Sequence, residues 1–526
     1  MSHKPMQEKL LPIGVSNLSD IRRMNCYYVD KTPWIVKLLT TSKFIFLSRP
    51  RRFCKSLTID TIAELFSCNK KLFEGLYAEE HWDWDDVYPV IRLSFGGLEM
   101  KGDIANLMQY IRFHLELNET RLGVRVRDDI RNNEGLMLAD LIIQTQQKYG
   151  KQVVILIDEY DKPIIDNLEN EALALKVRET LRSLYLQLKD FPSSIRFAML
   201  TGVSKFGQMS LFSGLNHIKD ITLSEEYSAL CGYTQEELEH EFAPELDGVD
   251  LAEVRRWYNG YNWQGESVYN PFDILLFFEE KAYKPYWIQT GGNVSLLYKA
   301  IQREDIQTLD IINRTESGES LLAHTDIGSL SAIPIMFQTG YLTIDKVIRD
   351  SEGESYQLKF PNTEVRQAFN KTLWNWMMDR DTRSQRRKVV SSLIAGDLDQ
   401  LKTEISSAFA GIPHNWFRNN DIARYEGFCA SCFYMFFASC CTLVRPEDVS
   451  TQGQVDLVIG EEGNIFIFEF KMKRAGDAQS ALKQIREKRY ADKYRAEAKQ
   501  LFEVGVSFDG ETREVVFAVE GKRDES

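Results

Sequence analysis

The segment from Gln454 to Lys473, QVDLVIGEEGNIFIFEFKMK, places an Asp, a Glu and a Lys inside apolar runs, and this narrows the folds open to the chain. QVDLVI and NIFIFEFKMK read as two strands, and the GEEG between them is a turn signal. A hairpin turning between Glu462 and Gly463 sets Asp456 opposite Glu469. Opposed residues share a face with Cβ atoms about 4.5–5.5 Å apart, where like charges destabilise. Lys471, two residues beyond Glu469, points to the same face. The residues between them (Leu457, Ile459, Ile465, Ile467, Phe468, Phe470) are apolar on both faces, so the sheet is covered on both sides and a charge in it is costly unless used. A divalent cation accounts for the carboxylate pair, and the lysine is suited to position or polarise an attacking water. A solvated Asp, Glu, Lys ladder accounts for any one of the three but poorly for all of them.

The first half carries a second pattern. KFIFL (43–47) reads as a buried strand, SRPRRFCKSL as a loop, and TIDTIAELF as a helix. Lys55-Ser56 at the helix entrance suits a phosphate-binding loop, because the helix N-terminus offers free N–H groups and the lysine a point charge. Ser56 is a Mg²⁺ ligand candidate; Arg49, Arg51, Arg52 and Cys54 belong to the loop. Arg49 and Cys54 occupy the two glycine places of G-x-x-x-x-G-K-[ST]. KQVVILIDEYDKPI (151–164) reads as a central parallel strand delivering Asp158 and Glu159 at its carboxyl edge. In such sites the Asp orders the Mg²⁺ shell and the Glu orients water. SIRFAMLTG (194–202) ends in Thr201, placed to sense a γ-phosphate, and YPVIRLSF (88–95) adds another strand.

YYVDKT (27–32), RPRRFCKSL (49–57), VILIDEYDKPI (154–164) and LTGVSKF (200–206) resemble the bacterial AAA-ATPase-like family often fused to a PD-(D/E)XK nuclease domain. WYNGYNW (257–263), VYNPFDIL (268–275), QTGYLTI (338–344) and FPNTEVR (360–366) extend the resemblance over almost the whole chain. An arginine at the place of Arg49 is usual in that family. Cys54 departs from it, since the family has glycine before the lysine, and this leaves ATP hydrolysis open. The resemblance carries over Asp456, Glu469 and Lys471 as a catalytic core, adds Glu426 as a further metal ligand, and matches Gln484 and Tyr490 to a helix bordering the site. Glu447 is a weaker acidic candidate. Gln454 stands where an arginine is common.

These readings imply an α/β protein: a P-loop NTPase-like parallel-sheet domain (1–230), a mainly helical lid or linking region (231–394), and a restriction-endonuclease-like PD-(D/E)XK domain (395–526). At 526 residues several domains are required. The aromatic residues of the middle region suit small cores under loops better than a base-stacking surface. CASC (429–432) with Cys440-Cys441 lies in an apolar run and reads as buried thiols rather than a metal site. Eight cysteines, a polar start and no membrane-length apolar run point to a cytoplasmic protein. A net charge of −13 argues against a non-specific nucleic-acid coat but permits a local basic groove. The function implied is an ATP-binding regulatory module coupled to a Mg²⁺- or Mn²⁺-dependent nuclease acting on DNA or RNA, with a homo-oligomer open. The rival is a nucleotide-binding switch or scaffold whose nuclease fold binds nucleic acid without cutting it; a defence or toxin effector is a third setting.

Overall fold

The computed structural model describes residues 9–99, 103–168, 170–205, 218–287, 316–318, 321, 331–351, 353–378, 381–412, 426–450, 453–509 and 514–522, with backbone alone at 316, 426–428 and 520–522. They form two compact units, the first ending at Asn362 and the second beginning at Thr363.

The first unit is built on strands β1 (Phe44–Ser48), β2 (Val90–Ser94), β3 (Val153–Asp158), β4 (Ile195–Gly202) and β5 (Lys219–Asp220). They pair in parallel in the order β2-β3-β4-β1-β5. All six residues of β3 are buried, which is why it reads as an unbroken apolar run rather than an alternating one. Parallel pairing brings the carboxyl ends of β1, β3 and β4 to one edge, so the loop after Ser48 lies beside Asp158 and Thr201. Such an edge is where open α/β sheets bind ligands.

Beyond the sheet, the capping box of Thr234 and Glu237 opens the helix Gln235–Glu241. Tyr258, Phe277 and Phe278 join Tyr27 and Val29 in one core. Tyr258, Tyr261, Trp263, Tyr269, Trp287 and Tyr341 are all buried, so these aromatics close cores instead of offering a stacking surface. A small sheet joins β6 (Glu316–Ser317), β7 (Thr343–Asp350) and β8 (Gly353–Lys359).

The second unit holds β9 (Leu443–Ser450), β10 (Gly453–Glu461), β11 (Asn464–Met472), β12 (Gln500–Phe508) and β13 (Val515–Lys522), in the order β13-β12-β11-β10-β9. β9, β10 and β11 form an antiparallel meander; β11 and β12 are parallel, joined by a crossover that contains the helix Ala478–Glu487. One face of β11 presents Phe468 and Phe470 to Phe433 and Phe508. The other presents Ile465 and Ile467 to Ala478, Leu482 and Ile485. The helix Glu426–Ala438 is apolar all round because its sides are packed. Cys432 and Cys441 are buried, and all eight cysteines are free thiols. Helix Arg383–Ala395 also lies in this unit, where the Asn464 side chain donates to the carbonyls of Leu393 and Ile394. Amphipathic spacing suggests one helix over 481–494. It instead breaks at Arg489, whose φ is 53°, and resumes as a 3-10 turn Tyr490–Tyr494 that turns both tyrosines into the core. Among the described residues no helix is long and apolar enough to cross a membrane.

Candidate functional site

In the first unit Cys54 caps the helix Lys55–Phe66 with φ 53° and ψ 22°, the left-handed conformation that glycine adopts without steric cost. Lys55 is buried, and its Nζ donates to the carbonyls of Arg49 (3.0 Å) and Pro50 (2.8 Å), which keeps the loop curled over the helix entrance. Burial lowers the Lys55 pKa, against the opposing pull of Asp158 and Glu159. Ser56 Oγ donates to one oxygen of Asp158 at 2.5 Å, and Thr201 Oγ1 donates to the other at 2.6 Å. Glu159 has φ 54°; its pKa is raised by burial and then by the Asp158 charge. Arg51, Arg52, Lys55, Ser56 and Glu159 line a cleft of about 370 Å³, within the ~300–1,000 Å³ usual for small-molecule sites.

Two residues of this neighbourhood differ from the sequence reading. Arg49, a candidate for nucleotide contact, turns its guanidinium into the protein and is 1% exposed. It donates to the carbonyls of Ser48 (2.9 Å) and Thr222 (2.7 Å) and lies 4.1 Å over the Trp263 ring, so it anchors the loop. Burial brings its pKa down to about 10. Asp161, not singled out in the sequence, is also buried; its carboxylate accepts from the Val203 amide, the Ser204 amide and the Ser204 hydroxyl. It ties the end of β3 to the turn after β4. Nothing in DEYDKP separates this aspartate from a surface one, because its partners lie some forty residues on.

In the second unit the hairpin runs in the expected register, with Leu457 opposite Phe468 and Glu461 opposite Asn464 around the Glu462-Gly463 turn. Asp456 lies one step beyond the last regular pair. There the ladder yields to a side-chain bond: the Phe470 amide donates to Asp456 Oδ2 at 2.7 Å. Val455 and Val458 both reach the same core, so strand alternation is broken at Asp456. Glu469 is 2% exposed; the Gln484 side-chain amide donates to its Oε1, and Lys471 Nζ stands 3.7 Å from that oxygen. Tyr490 shares a hydrogen bond with Gln484, and its pKa is raised by burial, then by Glu469 and by Asp456. Glu469, Lys471, Gln484 and Tyr490 therefore form one cluster, with Asp456 near enough for its charge to act on Tyr490. Glu447 is exposed on β9 with φ 46°, and the side chain of Glu426 lies outside the described residues.

A missed residue builds this cluster. Gly505 on β12 is the neighbour of Glu469, and a Cβ there would overlap the Ala478 carbonyl and the Leu482 amide. The absent side chain lets the helix Ala478–Glu487 lie directly on the strand, which brings Gln484 to Glu469.

Residues 12–212 match the family described as Predicted AAA-ATPase, and residues 424–518 match the PD-(D/E)XK nuclease superfamily. A protein of Azotobacter chroococcum mcd 1, described as "Uncharacterized protein in vnfD 5'region", is 43% identical over 525 residues, 98% of this chain and 99% of the relative. The chain belongs to the family of AAA-ATPase-like proteins fused to a PD-(D/E)XK nuclease superfamily domain. No solved structure matches it.

For this AAA-ATPase-like and PD-(D/E)XK pair, the donor chemistry fits divalent cations in both units. Ser56 and Asp158 offer hydroxyl and carboxylate oxygens side by side at the cleft, a set suited to Mg²⁺ with a nucleotide. Asp456 and Glu469 offer hard oxygen donors beside Lys471. Among the described residues no three His, Cys, Asp or Glu side chains are grouped to hold a metal.

Proposed function

We propose that the second unit hydrolyses phosphodiester bonds of DNA or RNA with a divalent cation, and that the first binds ATP and regulates that cleavage. The observation that carries the nuclease reading is Glu469, a carboxylate 2% exposed inside an apolar sheet yet held by Gln484 and neighboured by Lys471. Burying such a charge is costly without a purpose that repays it. Asp456 and Glu469 would hold Mg²⁺ or Mn²⁺, with Glu426 a further ligand on family grounds. When bound, the cation supplies charge neutralisation at the scissile phosphate and acidifies water. Lys471 orients the attacking water at its ammonium group, Gln484 fixes the Glu469 carboxylate, and Tyr490 closes the cluster on the helix side.

In the first unit Lys55, Arg51 and Arg52 would meet the nucleotide phosphates, Ser56 and Asp158 the Mg²⁺, Thr201 the γ-phosphate through Asp158, and Glu159 an attacking water. The left-handed Cys54 favours a nucleotide-binding switch over a fast-turnover motor, because its Cβ crowds the backbone where phosphate must approach. Cleavage of DNA and RNA substrates with Mg²⁺, Mn²⁺ or chelator, each with and without ATP, tests the whole reading. Metal-dependent products that vanish in Asp456→Ala support it; products that persist in that variant remove the assignment. Regulation requires that ATP change the affinity or the cleavage rate at the second site; where it acts on affinity, a non-cleavable nucleic acid must alter ATP affinity in return, since binding coupling is reciprocal.

A further inference from the structure

VYNPFDIL (268–275) takes no part in the chemistry above, but the fold carries its centre to the P-loop cleft. Asn270 caps the helix Pro271–Glu280 by accepting the Phe272 amide at 3.0 Å, which fixes the ring at the helix entrance. The lining of the cleft is chemically mixed: Arg51, Arg52, Lys55 and Lys162 are cationic, while Val15, Phe272 and Leu275 are apolar. Arg52 lies against the aromatic, with its guanidinium carbon 4.6 Å from the centroid of the Phe272 ring. A cleft of about 370 Å³ that combines cations with an aromatic ring suits a ligand that is polyanionic at one end and planar at the other.

We propose that Phe272 is the platform on which the base of a bound nucleoside triphosphate stacks, with Arg52 spanning from the ring to the phosphates. This rests on the nucleotide-binding reading and goes beyond it by assigning the base. Every nucleobase has a π-face, so an aromatic platform contributes affinity without strong base choice. Arginine already lies on this ring by cation–π attraction, and its planar fork also suits phosphate oxygens.

The test uses the full chain with Mg²⁺ and two probes, ATP and inorganic tripolyphosphate, with affinities measured by calorimetry. Phe272→Leu keeps apolar bulk and removes the π-face. It should weaken ATP about 5- to 150-fold and leave tripolyphosphate unchanged. Phe272→Trp should keep ATP affinity, and ATP but not tripolyphosphate should quench the new indole. Equal losses of both probes in Phe272→Leu would show a structural role, and no loss of either would show no contact; both outcomes overturn the platform. Should the natural chain bind ATP no better than tripolyphosphate, with Lys55→Ala losing both, the phosphate site stands and the base platform falls. Failure of the natural chain to bind either probe removes the nucleotide-binding reading, and the platform with it.

Discussion

At the P-loop, Asp158 has both carboxylate oxygens taken by side-chain hydroxyls, Ser56 and Thr201, and Lys55 is tied to two backbone carbonyls. On the hairpin, Asp456 gives one oxygen to a backbone amide, while Glu469 meets the Gln484 amide and an ammonium at 3.7 Å. The first arrangement is a set of mutual bonds that a bound nucleotide and its metal would exchange for their own. The second is fixed by a strand ladder and a helix lying on it. One chain thus combines a site held by bonds among its own polar groups with a site whose geometry is set by sheet and helix packing. The first is suited to switching and the second to chemistry at a held position.

The comparison breaks most easily at the hairpin. Asp456→Ala or Glu469→Gln should lower metal-dependent cleavage on the order of 10³-fold, since a bound cation contributes several kcal/mol at the transition state and each 1.36 kcal/mol is tenfold. Initial rates on a labelled substrate measure this, with circular dichroism confirming the fold. Rates within about threefold of the natural protein would leave Asp456 and Glu469 without a catalytic task.

Lys55→Ala probes the other side. Loss of a charge-assisted bond worth about 1.5–3 kcal/mol should weaken ATP binding roughly 10- to 150-fold, measured by calorimetry. Cleavage in the absence of ATP should be unchanged, and its response to ATP should disappear. An ATP response that survives in Lys55→Ala would mean that nucleotide acts elsewhere. Gln484→Ala should have a comparable or smaller effect, about 10- to 100-fold on metal affinity or cleavage, because it removes an orienting partner and no ligand. If the loss is restored by Gln484→Glu, the amide donor was not what held Glu469.

The two sites also differ in how readable they were. The hairpin register follows from local pattern, because a two-residue turn and alternating side chains fix which residues oppose each other. The strand–loop–helix around Lys55 and the strand ending in Asp158-Glu159 are equally local. What sequence could not supply depends on distant partners. Arg49 turns inward because Thr222 and Trp263 wait for it, over 170 residues away. The break at Arg489 comes from tyrosines that prefer the core to a longer helix. Gly505 looks like any glycine in a strand until a helix from the crossover lies on it. Phe272 sits in VYNPFDIL, where nothing in the local pattern shows that it lines the cleft.

The smallest expected effect sharpens the comparison most finely, because it concerns Cys54, which holds a side chain in the left-handed conformation at the entrance of the Lys55–Phe66 helix. A side chain at φ 53° costs roughly 1–2 kcal/mol, and glycine there removes that cost while adding about 0.5–1 kcal/mol of unfolded-chain entropy. Cys54→Gly should therefore change stability by only about 0–1.5 kcal/mol, read as a small shift in the denaturation midpoint. Its effect on ATP should be clearer: removing the Cβ opens backbone approach to phosphate, so affinity should rise about tenfold, or 1.4 kcal/mol. The thiol is pushed up to about 12, mainly by burial, so Cys54 carries no negative charge against the phosphates at neutral pH and the obstacle is steric. Cys54→Ala separates the two parts of that claim, since it keeps the Cβ and deletes the sulfur. Alanine should bind ATP like cysteine, with glycine alone improving. Should alanine match glycine, the sulfur rather than the left-handed Cβ is what limits the loop, and the switch-like character of this unit would rest on a thiol.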